Sequence, residues 1–146
     1  MARVLKKEDF TKLLQIDWGA PNIQGSLDFY IDEYEKILLT DLFGEKMYID
    51  FLANQTDEKY TALINGEEME DWNFTGLKPM LSHFITFYAK RANDEITNKK
   101  RQYLNWVWNR GVYFYNRCIY YINEKNKTEI LFPDFLPTKK DKLTNF

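Results

Sequence analysis

The sequence predicts an all-α fold: a compact bundle of about five or six helices around a long central helix at residues 102–124. Three observations predict it. From Gln102 to Glu124 the apolar residues Leu104, Val107, Trp108, Gly111, Val112, Phe114, Tyr115, Cys118, Ile119 and Ile122 recur in steps of three and four. That spacing puts them on one broad stripe of an α-helix about 35 Å long. Several further stretches keep the same spacing and are punctuated by Gly44, Asn54–Asp57 and Gly66. Residues 67–76 are the least regular part, and there a short β-hairpin or ordered loop fits.

The elements follow in order. Lys7 to Ile16 reads as a short amphipathic helix with Phe10, Leu13 and Leu14 on one face. Asp17 to Gly25, with Gly-Ala-Pro and a second glycine, reads as a loop, and Ser26 as the cap of the next helix. Leu27, Tyr30, Ile31, Tyr34, Ile37, Leu38 and Leu42 carry that helix to Gly44, placed as a C′ residue. Glu45 to Asn54 resumes helically, with Met47, Tyr48, Phe51 and Leu52 inward. Thr56 or Asp57 caps a short helix from Glu58 to Asn65, which Gly66 stops. A further helix starts near Leu77, where Pro79 falls in the first turn and loses no hydrogen bond. Its stripe is Leu77, Met80, Leu81, Phe84, Ile85, Tyr88 and Ala92. After a polar break at Asn93 to Asn98 comes the long helix. Gly111 at its middle lowers helix stability by about 1 kcal/mol against alanine, which close packing of another element would offset. Trp106, Tyr113, Tyr120 and Tyr121 spread its apolar surface beyond one face, so it is buried on several sides or partly covered by a partner.

Residues 1–127 thus read as a helical domain and 128–146 as an extended docking tail. Pro133 and Pro137 exclude a regular helix in the tail. Ile130, Leu131, Phe132, Phe135 and Leu136 are too apolar for a solvated linker, so the segment lies in a groove of its own domain or of a neighbour.

A chain of 146 residues buries a core without disulfides or metal. Aromatics make up 17% of it; most read as filling a helical core, and tyrosine and tryptophan suit interfaces as well as interiors. The single cysteine, Cys118, lies on the long helix stripe and reads as a buried free thiol, consistent with a reducing compartment. The first residues, MARVLKKEDF, lack the apolar core of a signal peptide, and no run approaches the roughly eighteen apolar residues of a membrane span. The expectation is a protein that is intracellular, or released only by lysis.

The net charge of −2 conceals a division. Ser26 to Gly76 holds thirteen acidic and three basic residues, whereas Leu77 to Lys127 holds ten basic and three acidic. Such halves suit head-to-tail contact between copies or two partners on opposite faces, or they neutralise one another within a monomer.

No catalytic, metal or cofactor residues are expected. The sole histidine, His83, sits in an apolar helix and reads as structural; with one His and one Cys, ordinary zinc sites and nucleophile triads lack parts. There is no phosphate-cradling glycine loop. The carboxylates at Glu67, Glu68, Glu70 and Asp71 read as a solvated face, with a small acidic-site metal enzyme as the remote alternative. Lys90, Arg91, Lys99, Lys100 and Arg101 form a basic cluster that suits phosphate contact or a contact between subunits, without a sequence-reading motif.

Three blocks together resemble the head–tail connector, or adaptor, proteins of tailed bacteriophages, in the form found in phages of Bacteroidetes including crAss-like phages. They are LDFYIDEYEKILLTDLFGEKMYIDFL (27–52), LINGEEMEDWNFTGLKPMLSHFITFYAKRAND (63–94), and Trp108-Asn109-Arg110 followed by Tyr115-Asn116. The link between the second and third blocks is short here, and the tail after Lys127 is longer and more apolar than in the family. The resemblance implies a helical, non-catalytic virion protein. Copies form a ring in the neck, usually twelve-fold, which binds the portal protein and tail components while DNA passes through. Trp72, Phe74 and the tail residues Ile130, Leu131, Phe132, Phe135 and Leu136 would then contact partners. Lys90, Arg91, Lys99, Lys100 and Arg101 would face DNA or a neighbouring subunit. The competing reading is a helical protein–protein interaction module outside the virion, such as a modulator of the host.

Overall fold

The helix signals translate into five helices and one hairpin among the described residues. The computed structural model describes residues 4–6, 8–10, 21–93 and 98–137, with side chains except at 21–26, 92 and 93. In order these are α1 (Pro21–Phe43), α2 (Glu45–Ala53), α3 (Glu58–Asn65), β1 (Glu67–Glu68), β2 (Asn73–Phe74), α4 (Lys78–Asn93) and α5 (Asn98–Thr128). The two strands pair antiparallel, Glu67 opposite Phe74 and Glu68 opposite Asn73, so the irregular acidic stretch is a hairpin. Of the expected Lys7–Ile16 helix, residues 8–10 are helical and 11–16 lie outside the described residues.

One helix start is corrected. α1 begins at Pro21, not at Ser26, so Ser26 is an interior residue and no cap. Proline in the first helical position has no N–H to lose and its φ is already helical, so Pro21 opens a helix here rather than marking a loop. The long helix also overruns its predicted bounds at both ends, to Asn98 and Thr128.

The most enclosed helix is α4, which packs along the long helix α5. Every residue from Pro79 to Phe87 is buried, including Ser82, His83 and Thr86. α1 covers one side, where Tyr34 stacks on Tyr88 at 4.2 Å. α5 covers the other, antiparallel: Phe84 and Phe87 meet Trp108 at 5.0 and 4.9 Å between centroids. The inward stripe of α5 is the one the sequence indicates, with Leu104, Val107, Gly111, Val112, Tyr115, Cys118, Ile119 and Ile122 all buried. Cys118 is a free buried thiol, and burial pushes its pKa up, so it stays protonated.

Gly111 is where α4 comes closest. A Cβ there would lie 2.7 Å from the Phe84 ring, itself held by Trp108 and Tyr115. Gly111→Ala gains about 1 kcal/mol of helix propensity and loses about 1–3 kcal/mol to overpacking. The expected result is a net loss of about 1 kcal/mol, seen as a lower urea midpoint at unchanged slope.

The amino-terminal segment is fastened by Glu35. Its buried carboxylate accepts the backbone N–H groups of Val4 at 2.8 Å and Leu5 at 3.2 Å, which seats both side chains in the core. The carboxyl-terminal segment is fastened just as firmly. Phe132 is 1% exposed, and its ring ends an aromatic series through Phe43, Phe51 and Tyr60. The Asn126 amide clasps its backbone, accepting the Phe132 N–H at 2.9 Å and donating to the Phe132 carbonyl at 3.1 Å. Lys59 Nζ donates to the Leu131 carbonyl at 2.8 Å, and the Leu136 N–H donates to the Phe43 carbonyl at 2.9 Å. Gly44, at φ +84°, ends α1 and lies against the Leu136 carbonyl, where a side chain would not fit. Of the two grooves open to the tail, residues 129–137 occupy their own domain's. Residues 138–146 lie outside the described residues.

Candidate interaction surface

The outer face of α5 carries the feature that the core does not explain. Tyr103, Trp106, Arg110, Tyr113, Arg117, Tyr120 and Glu124 follow one another in steps of three and four, offset from the buried stripe. Trp106, Tyr113 and Tyr120 are 49%, 56% and 48% exposed. A strict 3–4 alternation keeps these residues in one seam of the kind that receives another helix, over roughly 26 Å from Tyr103 to Tyr120.

The seam is tied together by ring and cation contacts. Tyr103 stacks on Trp106 at 6.0 Å. The Arg110 guanidinium lies over Trp106 at 5.2 Å and over Phe114 at 5.4 Å. Arg117 lies 4.0 Å over Trp72 and 5.7 Å over Tyr113, and Trp72 meets Tyr120 at 5.3 Å. Among the described residues neither arginine forms an ion pair with a carboxylate, so both keep their charge on an aromatic surface.

His83 underlies the seam and fixes Arg110. The Pro79 carbonyl, 2.6 Å from Nδ1, can only accept, so Nδ1 carries the proton. Nε2 is then the acceptor for Arg110 Nε–H at 3.2 Å. Burial, with the Arg110 charge beside it, lowers the His83 pKa to about 4. It is a neutral structural imidazole, and the same Pro79 carbonyl accepts Ser82 Oγ–H at 3.0 Å.

Below Tyr120 the seam opens into a groove of roughly 400 Å³ between the hairpin turn and the end of α5. Glu70, Asp71, Trp72, Glu124, Lys125 and Glu129 are among its lining residues. Glu67 sits beside it. Tyr121 OH donates to it at 2.6 Å and Lys125 Nζ pairs with it at 3.0 Å, and these bonds hold its carboxyl below the usual carboxylate pKa. A metal enzyme at Glu67–Asp71 would need those carboxylates converged on one point. Among the described residues no three His, Cys, Asp or Glu side chains are so placed.

The residues expected to contact partners divide. Phe74 and Phe132 are 3% and 1% exposed, and are corrected to core residues. Phe74 stacks on Tyr121 at 4.0 Å. Leu131, Phe135 and Trp72 are half-buried, while Ile130 and Leu136 are exposed. The basic residues come together at one end of the α4–α5 pair. Lys90 and Arg91 end α4, and Lys99, Lys100 and Arg101 begin α5. Arg91, Lys99, Lys100 and Arg101 are exposed and Lys90 is half-buried. No described helix is long and apolar enough to cross a membrane.

The chain matches no family model, and no curated protein or solved structure is significantly similar to it.

Proposed function

We propose that this protein is a structural building block, a helical adaptor of the kind that joins the portal of a tailed bacteriophage to its tail. The observation that carries the reading is the outer face of α5, a continuous aromatic and arginine seam that its own chain leaves exposed. Exposed tryptophan and tyrosine with arginine between them have the composition enriched at protein interfaces. The three sequence blocks that resemble phage connectors fall on consecutive parts of the bundle: α1 with α2, the hairpin with α4, and α5. The basic end of the α4–α5 pair suits non-specific contact with DNA phosphates inside a ring. Ile130 and Leu136 suit contact with portal or tail components, standing out from a tail segment that is itself rigidly seated.

Light scattering on the purified protein, alone and mixed with its cognate portal protein, tests this. The expected result is a portal complex of defined stoichiometry. The double variant Ile130→Ser and Leu136→Ser should retain the wild-type melting temperature yet weaken that complex by about tenfold or more. These side chains are the right targets, because deleting the whole tail also removes Phe132 from the core. A protein that stays apart from portal at every concentration contradicts the reading.

A further inference from the structure

We infer that the α5 seam is a self-docking face, and that what covers it is the outer face of α1 in a second copy of this chain. The inference rests on the building-block reading above and names the contact between copies.

Two faces of the described bundle leave large apolar side chains exposed on a helix of more than twenty residues, and their chemistry is complementary. The first is the α5 seam, whose apolar members Trp106, Tyr113 and Tyr120 are separated by Arg110 and Arg117. The second is α1, where Phe29 and Ile37 are 60% and 55% exposed. Phe29, Glu33 and Ile37 follow at intervals of four, so they lie in one row along the helix. Asp32, Glu33 and Lys36 are the exposed charges beside them, which leaves this face acidic. Ile49 of the next helix, α2, is also exposed, at 59%.

The faces are matched in length and in sign. α1 has 23 residues and so runs about 34 Å, and the seam runs about 26 Å. A helix laid along the seam at the usual interaxial distance of 8–10 Å sets Phe29 and Ile37 among the aromatic rings. Asp32 and Glu33 then approach guanidinium groups that already lie over rings and, among the described residues, form no ion pair with a carboxylate. Arginine held in that way loses little freedom when it pairs, and planar bidentate contact with a carboxylate is what it does best. α4 lies between α1 and α5, so one copy cannot close the contact on itself. The contact is heterologous: each copy offers its α5 to one neighbour and its α1 to another, and such contacts generate a ring when the rotation closes. It also gives a use to the division of charge between the two halves of the sequence, which internal pairs such as Glu67–Lys125 relieve only in part.

Charge exchange tests the pairing. One variant carries Arg110→Glu and Arg117→Glu, and the other Asp32→Lys and Glu33→Lys. Circular dichroism and thermal melting establish that each is folded. Because Arg110 also holds His83, Tyr113→Ala serves as a third variant that removes an exposed ring of the seam and keeps both arginine charges and the Arg110–His83 bond. Sedimentation velocity is run over a concentration series at low and high salt, with each protein alone and with the two charge variants mixed. The expected result is self-association of the wild type that salt weakens. Each charge variant and Tyr113→Ala should weaken it by about tenfold or more, and mixing the two charge variants should restore association between them. Wild-type association that none of the variants changes overturns the assignment of these faces and leaves the building-block reading standing. A wild type that binds portal but not its own copies overturns the self-contact alone. A wild type that binds neither overturns both.

Discussion

Phe132→Ala lowers the unfolding free energy by about 3–5 kcal/mol, the range for removing a fully buried phenylalanine. The ring is 1% exposed and closes the end of the core against Tyr60, with the Lys59 ammonium 5.7 Å from its centroid. Truncation leaves a cavity beside Tyr60, whose OH is held by Asp50 at 2.5 Å and restrains collapse. It also loosens what the ring positions: the Asn126 clasp, the Lys59 bond to Leu131 and the Leu136 bond to Phe43. Two measurements check this. Urea denaturation should show a midpoint shift of that size, and amide exchange should rise first at Phe132 and Leu136. A tail that was only a loose docking arm would leave the midpoint where it was. The consequence for function is that the carboxyl-terminal segment presents Ile130 and Leu136 from a fixed position.

Acidification from pH 6.5 to pH 4 costs about 3 kcal/mol of stability through His83 alone. In the folded protein its pKa is lowered to about 4, whereas the unfolded chain protonates near 6.5. Above 6.5 both states hold the neutral ring and the full contribution is present. As the pH falls through this window the unfolded state takes up a proton that the folded state refuses, so stability is lost. Protonation would put a second positive charge against Arg110 and remove the acceptor for its Nε–H. His83→Gln lacks the titration. Its free energy of unfolding, although lower at pH 7, should fall less steeply over this window than that of the wild type. The difference between the two curves isolates His83 from the carboxylates, which titrate in both. Parallel curves would mean that the ring is not held neutral.

The helices whose ends carry strong local signals were legible in the sequence. α3 runs from Glu58 to Asn65 as expected, because Asp57 and Gly66 bracket it. Pro79 falls in the first turn of α4, and the hairpin sits where periodicity disappears. The full enclosure of α4 was not legible. α4 shows an apolar stripe interrupted by Ser82, His83 and Thr86, which reads as an amphipathic helix with a wet side. Ser82 and His83 both bond to the Pro79 carbonyl one turn back, so their polarity is used locally and the helix is enclosed all round. The start of α1 was missed because Gly-Ala-Pro favours a turn and a first helical turn alike, and only the surrounding packing selects between them.

The candidate surface was half legible. Trp106, Tyr113 and Tyr120 stood out as excess aromatics on the long helix, but their use depends on which side α4 covers. The intervening arginines completed a 3–4 seam that was present in the sequence and went unread, because the stronger buried stripe lies beside it. Phe74 and Phe132 have the composition of contact residues. Nothing local to them indicates that Tyr121 and Tyr60 bury them. The groove that takes a proline-broken apolar tail is a tertiary property that periodicity does not carry.

In the function we propose, the exposed face of this bundle is covered by other proteins of an assembly. A reconstruction of tail-bearing particles at the portal vertex tests it most directly. The expected result is a ring of this chain in contact with portal, in which Trp106, Tyr113 and Tyr120 of each copy are covered by the neighbouring copy. A neck without this chain, or a ring in which those three side chains still face solvent, would contradict it.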